Sequence, residues 1–576
     1  MVKIRSFLNP YRMPMAIALS LMLIELAVEL IHPLLMAKII DDGIVNKNLH
    51  VVLLWGGVML GISLLAFMSG IINSFYASHV SQSFGFDIRK QLFEKVQRFS
   101  FEQLSRFPTS SLITRMTNDI TQLQNTLFMG LRIMLRAPLL VIGAVIMSFV
   151  VNPLLASVFV FVIPMIILTL IWIMRKGSAL FNKVQAKLDF VNGVLRENLV
   201  GMRLIKAYVR RDHEIKRFTK ATDELRDKTI TTLRLIETSM PVLLFVMNIA
   251  ILVILWFGHA QVIDGNIQVG EVVALVNYGL RVMSALSMFS FIVMFLSRSQ
   301  ASAARISEVL HIEEKSEDLE NKCKITEGKV SFEHVSFTYS GTKEVVLKDI
   351  SFTAEAGSTI AIMGGTGSGK SSLFQLLPRL YDVNEGDIFL DGVSIAEFDS
   401  KSLRRQIGYV PQEAILFTGT VKENISWGKE DASLAEIIEA TKAAQIHETI
   451  EQLPHQYETK IGQKGVNLSG GQKQRLSVAR ALVRKPKLLL LDDSTSALDV
   501  KTERKLLEAL RNYSCTTLLI TQKVSTAQQA DKILLLDDGI LIAEGTHEQL
   551  LKTSPLYGKI CQSQMMEEVR HVKATN

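Results

Sequence analysis

Apolar and polar positions divide the 576-residue chain into two unlike parts. Before residue 300, apolar runs recur at 13–40, 51–76, 127–151, 154–174, 239–262 and 271–297, and about 20 such residues cross a bilayer as a helix. The pattern predicts six spans. Two long segments between them, 77–126 and 175–238, keep apolar residues at helical spacing, as in Phe86, Leu92, Phe93, Val96 and Phe99, then Val191, Leu195, Leu199 and Leu204. Largely free of Pro and Gly, they predict helices that continue on the order of 40 Å beyond the bilayer, with turns near Phe107-Pro108-Thr109-Ser110 and Tyr208 to His213.

Past residue 305 the period changes. Ala301 to Leu310 continues the sixth helix, and a polar stretch, Glu313 to Lys329, leads to the strand-like alternation of 329–339, KVSFEHVSFTY. The expected organisation is an α-helical six-span transmembrane domain over 1–305 with long intracellular helical extensions, a linker over 306–328, and an α/β domain over 329–576.

Charge orients the spans. The short connections 41–50, 152–153 and 258–270 hold Lys47 as their one Lys or Arg, whereas 77–126 and 175–238 are rich in both. The basic segments are therefore cytoplasmic and both termini lie inside. A formal net charge of +7 thus reads as topology and not as a nucleic-acid footprint. Lys3, Arg5 and Arg12 precede a first run too long for a signal peptide, which reads as an uncleaved helix. Cys323, Cys515 and Cys561 lack metal-ligand spacing and suit a reduced cytosolic domain.

The chemistry centres on GGTGSGKSS: Gly364, Gly365, Thr366, Gly367, Ser368, Gly369, Lys370, Ser371 and Ser372. It joins an apolar strand-like run (358–363, STIAIM) to a helix-like one. Glycines let backbone N–H groups approach phosphates, Lys370 supplies a point charge, and the Ser371 hydroxyl can ligate Mg²⁺. The α/β domain is thus a P-loop domain that takes a nucleoside triphosphate and Mg²⁺. A second glycine-rich helix start, Ser469-Gly470-Gly471-Gln472, offers another anion site. Leu488 to Leu491 form an apolar strand ending in Asp492, a carboxylate able to hold Mg²⁺. Tyr339, upstream of the loop, is either an adenine-stacking ring or a packed strand residue.

Inside the spans, Glu25 and Glu29 lie four residues apart on one helix face, where a carboxylate costs about 2.5 to 3.5 kcal/mol. They form either an acidic cavity wall suited to cationic amphiphiles or structural pairs with Arg132 or Arg136. Asp41 and Asp42, at the outer end of the same helix, make either an outer gate or an ordinary solvated end. Met and Phe residues on the last two spans, Met247 and Phe291 among them, could line an adaptable drug site.

Taken together, LSGGQ some hundred residues after the P-loop, then LLLLDD and STSALD, resemble the ATP-binding cassette (ABC) exporters over nearly the whole chain. The resemblance implies that Gln412 is the Q-loop residue that senses the metal, that Ser496 to Asp499 form the D-loop, and that 106–119 and 197–211 are coupling regions. It also implies that two cassettes pair head to tail, each ATP lying between one P-loop and the other chain's LSGGQ. A six-span chain with one cassette is then half a transporter in the bacterial plasma membrane.

Two positions depart from that family. The residue after the strand-end Asp492 (the family's Walker B Asp), normally Glu and the base that polarises water, is Asp493, and the switch His position is Gln522. A carboxylate withdrawn by about 1 Å is a weak base, since such misplacement can cost 10²-fold, and a neutral amide lacks the imidazolium charge. The pattern resembles the degenerate-site chain of heterodimeric multidrug exporters, whose partner chain carries the Glu and His. The expected ligands are amphiphilic drugs, cationic ones if Glu25 and Glu29 face the cavity, together with membrane lipids. A homodimeric lipid or peptide exporter and an ATP-gated regulatory membrane protein are the alternatives.

Overall fold

The computed structural model describes residues 4, 6–313 and 325–564; Lys3, Arg5, Cys323 and most of the expected linker lie outside them. By its contacts the chain forms two units, one of residues 1–97 and 108–312, the other of 98–107 and 313–576.

Among the described residues, the first unit holds six helices long and apolar enough to cross a membrane: Asn9–Val45, Leu49–Gln97, Thr109–Val151, Pro153–Val200, Arg211–Ile263 and Val269–Leu310. Each expected apolar run falls within one of them. The second contains 49 residues, about 70 Å at helical rise, so the helices do run on past bilayer thickness. The breaks also fall close to where the sequence puts them. Ser100 caps the short helix Phe101–Ser105 through a reciprocal pair with Gln103, and Met202–Ala207 precedes the restart at Arg211.

The core of this unit gathers small, branched and aromatic side chains and Met247 from the first, third, fourth, fifth and sixth spans, among them Ala144, Phe159 and Tyr278. Tyr278 crosses between helices to donate its hydroxyl to the Leu30 carbonyl at 2.6 Å. Met247 is fully buried there, which removes it from any drug-facing lining; Phe245 and Phe291 remain exposed. Three stretches widen into π-helical turns, at Ile39–Val45, Arg115–Asp119 and Gly130–Met134.

The segment Arg98–Phe107, placed by the sequence within the membrane domain, belongs by its contacts to the second unit. The Phe101 ring meets Tyr381 edge to face at 5.6 Å, and the Gln103 amide donates to the Glu313 carbonyl at 2.8 Å. An aromatic contact and a satisfied amide hold better there than on a polar turn in water.

The rest of the second unit is an α/β fold. Its central sheet runs Ile540–Gly545, Lys532–Asp537, Thr359–Gly364, Thr516–Ile520, Leu488–Asp492 and Ile407–Val410 in spatial order. The last five strands are mutually parallel. Leu488–Asp492 is buried at every position, as a run of consecutive leucines requires when both faces of a parallel sheet are covered. A four-stranded antiparallel sheet, led by Val330–Thr338 and Val345–Ala354, packs beside it. Asp391 anchors the entry to this fold: its carboxylate accepts the backbone N–H groups of Thr326, Glu327, Gly328 and Lys329 at 2.7 to 3.0 Å. Cys515 and Cys561 are buried free thiols.

Candidate functional site

Parallel strands in register deliver the site. Ile362 pairs with Ile520, Ile520 with Asp492 and Val410 with Leu491, so the turns leaving these strands emerge at one edge of the sheet. They carry Gly364 to Gly369, Asp492 and Asp493, Gln522, and Gln412. Ligands of open α/β sheets bind outside these carboxyl ends.

The P-loop arches from Gly364, with Gly365, Thr366 and Gly367 exposed and Ser368, Gly369 and Lys370 buried. Gly369 has φ +90°, and a Cβ there would sit 2.7 Å from Leu347 Cδ2 and 2.9 Å from the Val346 carbonyl. Only glycine meets both constraints. The helix Lys370–Leu376 then stops just short of Pro378, although Leu377 itself keeps helical angles of φ −59° and ψ −47°, because proline has no N–H to continue the helical hydrogen bonds. Lys370 Nζ donates to the carbonyls of Gly364 (3.0 Å) and Gly365 (2.5 Å) and to Ser368 Oγ (3.1 Å). Burial pulls its ammonium below the usual lysine range, and Asp492 and Asp493 oppose that.

Ser371 Oγ donates to Asp492 Oδ1 at 3.1 Å. Burial pushes the Asp492 carboxyl up, against the Ser371 hydroxyl and the Lys370 charge. It also pushes the neighbouring Tyr409 phenol up to about 12, with Asp492 adding to the effect. These hard oxygens fit Mg²⁺. Among the described residues no group of three or more His, Cys, Asp or Glu could hold a metal, so the remaining ligands would be phosphate oxygens and water.

Asp493 stands beside Asp492 at φ 45°, a left-handed conformation that Asp adopts more readily than a longer side chain. Its carboxyl is raised by burial, while the ammonium groups of Lys523 and Lys370 pull it back, as does a hydrogen bond from Gln412. Gln522 is exposed, and its backbone carbonyl accepts from the Gln564 side-chain amide at 2.6 Å. The next residue, Lys523, bonds Glu503 at 2.7 Å. In sequence Lys523 stands out only as the neighbour of Gln522; its charge on Asp493 is a tertiary fact.

Tyr339 bonds Ser372 Oγ at 2.8 Å and packs edge to face on Tyr381 at 5.1 Å. Ser469 caps the helix Gly470–Leu482 and is paired with Gln472. Ser469, Gly470 and Gly471 line a cavity of about 390 Å³ with Arg475 and the D-loop residues Ala497 to Asp499; no P-loop residue lines it. Gln474 accepts the Ala497 N–H at 3.1 Å, tying the D-loop to this helix.

In the membrane unit, Glu25 and Glu29 both pair with Arg136, at 2.5 and 2.6 Å, and Glu29 also with Arg281 at 3.1 Å. An open acidic wall is therefore not what these residues make: guanidinium groups cancel the charge that favoured cationic ligands. Sequence reasoning missed Arg281, although an arginine within a span is the same signal that singled out Glu25. Asp41 is buried, and accepts the Gly270 N–H at 2.6 Å near the start of the sixth helix. It is not a solvated helix end, because the first turn of that helix offers unpaired N–H groups that draw an anion.

Comparison with known proteins agrees with this layout. A family model described as the ABC transporter transmembrane region matches residues 15–286, and one described as ABC transporter matches 347–496. The chain is 55% identical, over 99% of both chains, to an uncharacterized ABC transporter ATP-binding protein, YfiB, of Bacillus subtilis. At 32% identity it matches a candidate multidrug export ATP-binding/permease protein of Bacillus subtilis, over 97% of this chain and 98% of that one. It matches an ATP-dependent lipid A-core flippase of Syntrophus aciditrophicus at 32% identity, over 97% of this chain and 94% of that one. Among solved structures, a bacterial Atm1-family ABC exporter with ATP bound superimposes with a TM-score of 0.79 at 25% identity, covering 96% of this chain and 99% of that one.

Proposed function

The chain belongs to the ABC transporters, as an exporter half with its membrane region and ATP-binding cassette in one polypeptide, and from that premise we propose that it is one subunit of a heterodimeric exporter of amphiphilic small molecules, whose own nucleotide site holds ATP longer than it turns it over. It is a transport ATPase that crosses a bacterial membrane several times, with a cytoplasmic cassette.

One observation carries the proposal: Asp493 and Gln522 leave adjacent strands at the edge where the P-loop and Asp492 lie. Both substitutions thus fall on one nucleotide. The P-loop N–H groups and Lys370 would hold the phosphates, Ser371 and Asp492 would hold Mg²⁺, whose charge would neutralise that of the phosphates, and Tyr339 would border the base. Asp493 orients water poorly from one methylene too short, and Gln522 offers a neutral donor where a charge is needed. Ser469, Gly470, Gly471 and Gln472 serve the partner chain's ATP, where hydrolysis resets the cycle. Gln412 and the helix Phe101–Ser105 relay cassette closure to the membrane helices, and ATP shifts the equilibrium by binding the closed state more tightly.

The lipid flippase among the relatives supports a second reading, a homodimeric lipid exporter. Turnover by the purified full chain in nanodiscs, beside D493E/Q522H, separates the two. Near silence of the native chain with a gain of about 10² or more in the double variant supports the heterodimer; equal rates sink it in favour of the homodimer.

A further inference from the structure

The network of Glu25, Glu29, Arg136 and Arg281 borders a cavity of about 440 Å³ that also takes in Arg132 and His32. That volume lies in the range of small-molecule sites. Arg136 and Arg281 are consumed by the two carboxylates. Arg132 is not: it sits on the π-helical turn Gly130–Met134, its guanidinium 5.6 Å from the Phe128 ring centre, and among the described residues no carboxylate pairs with it. Three guanidinium groups thus face two carboxylates, leaving an excess of at least one positive charge on a span, where an uncompensated charge is costly and marks a ligand path. Val28, Ala66, Phe67 and Ile71 give the cavity an apolar wall, with Ser63 and Ser74 beside them. His32 Nε2, 2.9 Å from Ser63 Oγ, supplies a further polar contact.

We propose that this cavity binds an amphiphile bearing one anionic group, a carboxylate or a phosphate, with Arg132 holding the anion and the apolar wall holding its body. A planar guanidinium fork suits both anions. The proposal rests on the reading of the chain as an exporter of amphiphiles and names the substrate class. It inverts the preference for cationic ligands that Glu25 and Glu29 suggest by themselves.

The test is binding to the full chain in phosphatidylcholine nanodiscs without nucleotide, using fluorescent dodecanoic acid, dodecanol and dodecyltrimethylammonium probes with one shared tag. The acid is expected to bind about tenfold tighter than the ammonium probe, the scale of one charge-assisted contact. Arg132→Gln should reduce acid binding to the level of the alcohol, and Arg132→Lys should keep most of it. Alcohol binding unchanged in both variants reports an intact cavity. If a variant misfolds, the three probes on the native chain still decide. Tighter binding of the ammonium probe, or an acid preference that survives Arg132→Gln, overturns the proposal. Added phosphatidylglycerol distinguishes two sources of the same chemistry: displacement of the acid identifies a membrane lipid, and its persistence a free amphiphilic acid. Nucleotide is absent throughout, so failure of the anion preference leaves the heterodimer reading, which rests on ATP turnover, standing or falling by its own experiment.

Discussion

Replacing Arg136 by glutamine removes the one side chain that holds both intramembrane carboxylates, and the structure makes the loss unequal. Glu29 keeps Arg281 at 3.1 Å, while Glu25 loses its one cation within ion-pair distance among the described residues. At an effective dielectric of about 20, each contact near 2.5 Å carries roughly 6 to 7 kcal/mol of gross attraction. Desolvation cancels much of that, and breaking a fully buried pair costs about 3 to 5 kcal/mol. Here the side chains retain 29% and 23% of their exposure, so cavity water softens the loss to about 2 to 3 kcal/mol. For a unit of this size that lowers Tm by about 3 to 5 °C. The assay is thermal unfolding of the full chain in nanodiscs, followed by tryptophan fluorescence at one scan rate, because membrane proteins unfold irreversibly. Adding Glu25→Gln removes the stranded charge and should recover about 1 to 2 kcal/mol, a coupling that independent sites would not show. A Tm within about 1 °C of native for Arg136→Gln, or a further fall on adding Glu25→Gln, would refute the reasoning.

Two further substitutions test the cassette. Asp492→Asn should stabilise it at neutral pH by on the order of 1 kcal/mol while weakening Mg²⁺-dependent ATP binding at least about tenfold; calorimetry with and without Mg²⁺ reads both. The sign follows from burial, which raises the Asp492 carboxyl: its contribution is fully present below the unfolded value of about 3.9 and is lost as pH rises through the folded value. Asp391→Ala should cost about 2 to 3 kcal/mol, since four backbone N–H groups lose a charged acceptor. These bonds hold the Asp391 carboxyl below its usual range despite burial, so the native chain gains stability above about pH 3.9 and loses it as pH falls through the folded value. The Ala variant should lack that dependence in a denaturant series, and equal pH profiles would discard this account.

How much was legible depended on the range of the cause. Residues within one turn or one strand write their structure into period and spacing: six apolar runs became six long helices, Leu488 to Leu491 became a strand buried at every position, and GGTGSGKSS became a loop in which Gly369 alone fits beside Leu347. Asp493 and Gln522 were readable as departures because their motifs are contiguous. What hydropathy leaves open is who meets whom across the fold. Glu25 and Arg136 are 111 residues apart, and Asp41 and Gly270 are 229. The same carboxylates make an acidic wall or a neutralised network, a wet helix end or a buried cap, according to which helix packs beside them. Arg98–Phe107 likewise carries a helix-like pattern in sequence, and the aromatic neighbour Tyr381 assigns it to the cassette. Local free energies of burial and backbone geometry, repeated along each segment, determined the elements from sequence. Charge compensation depends on distances between segments, and only the packed structure decided it.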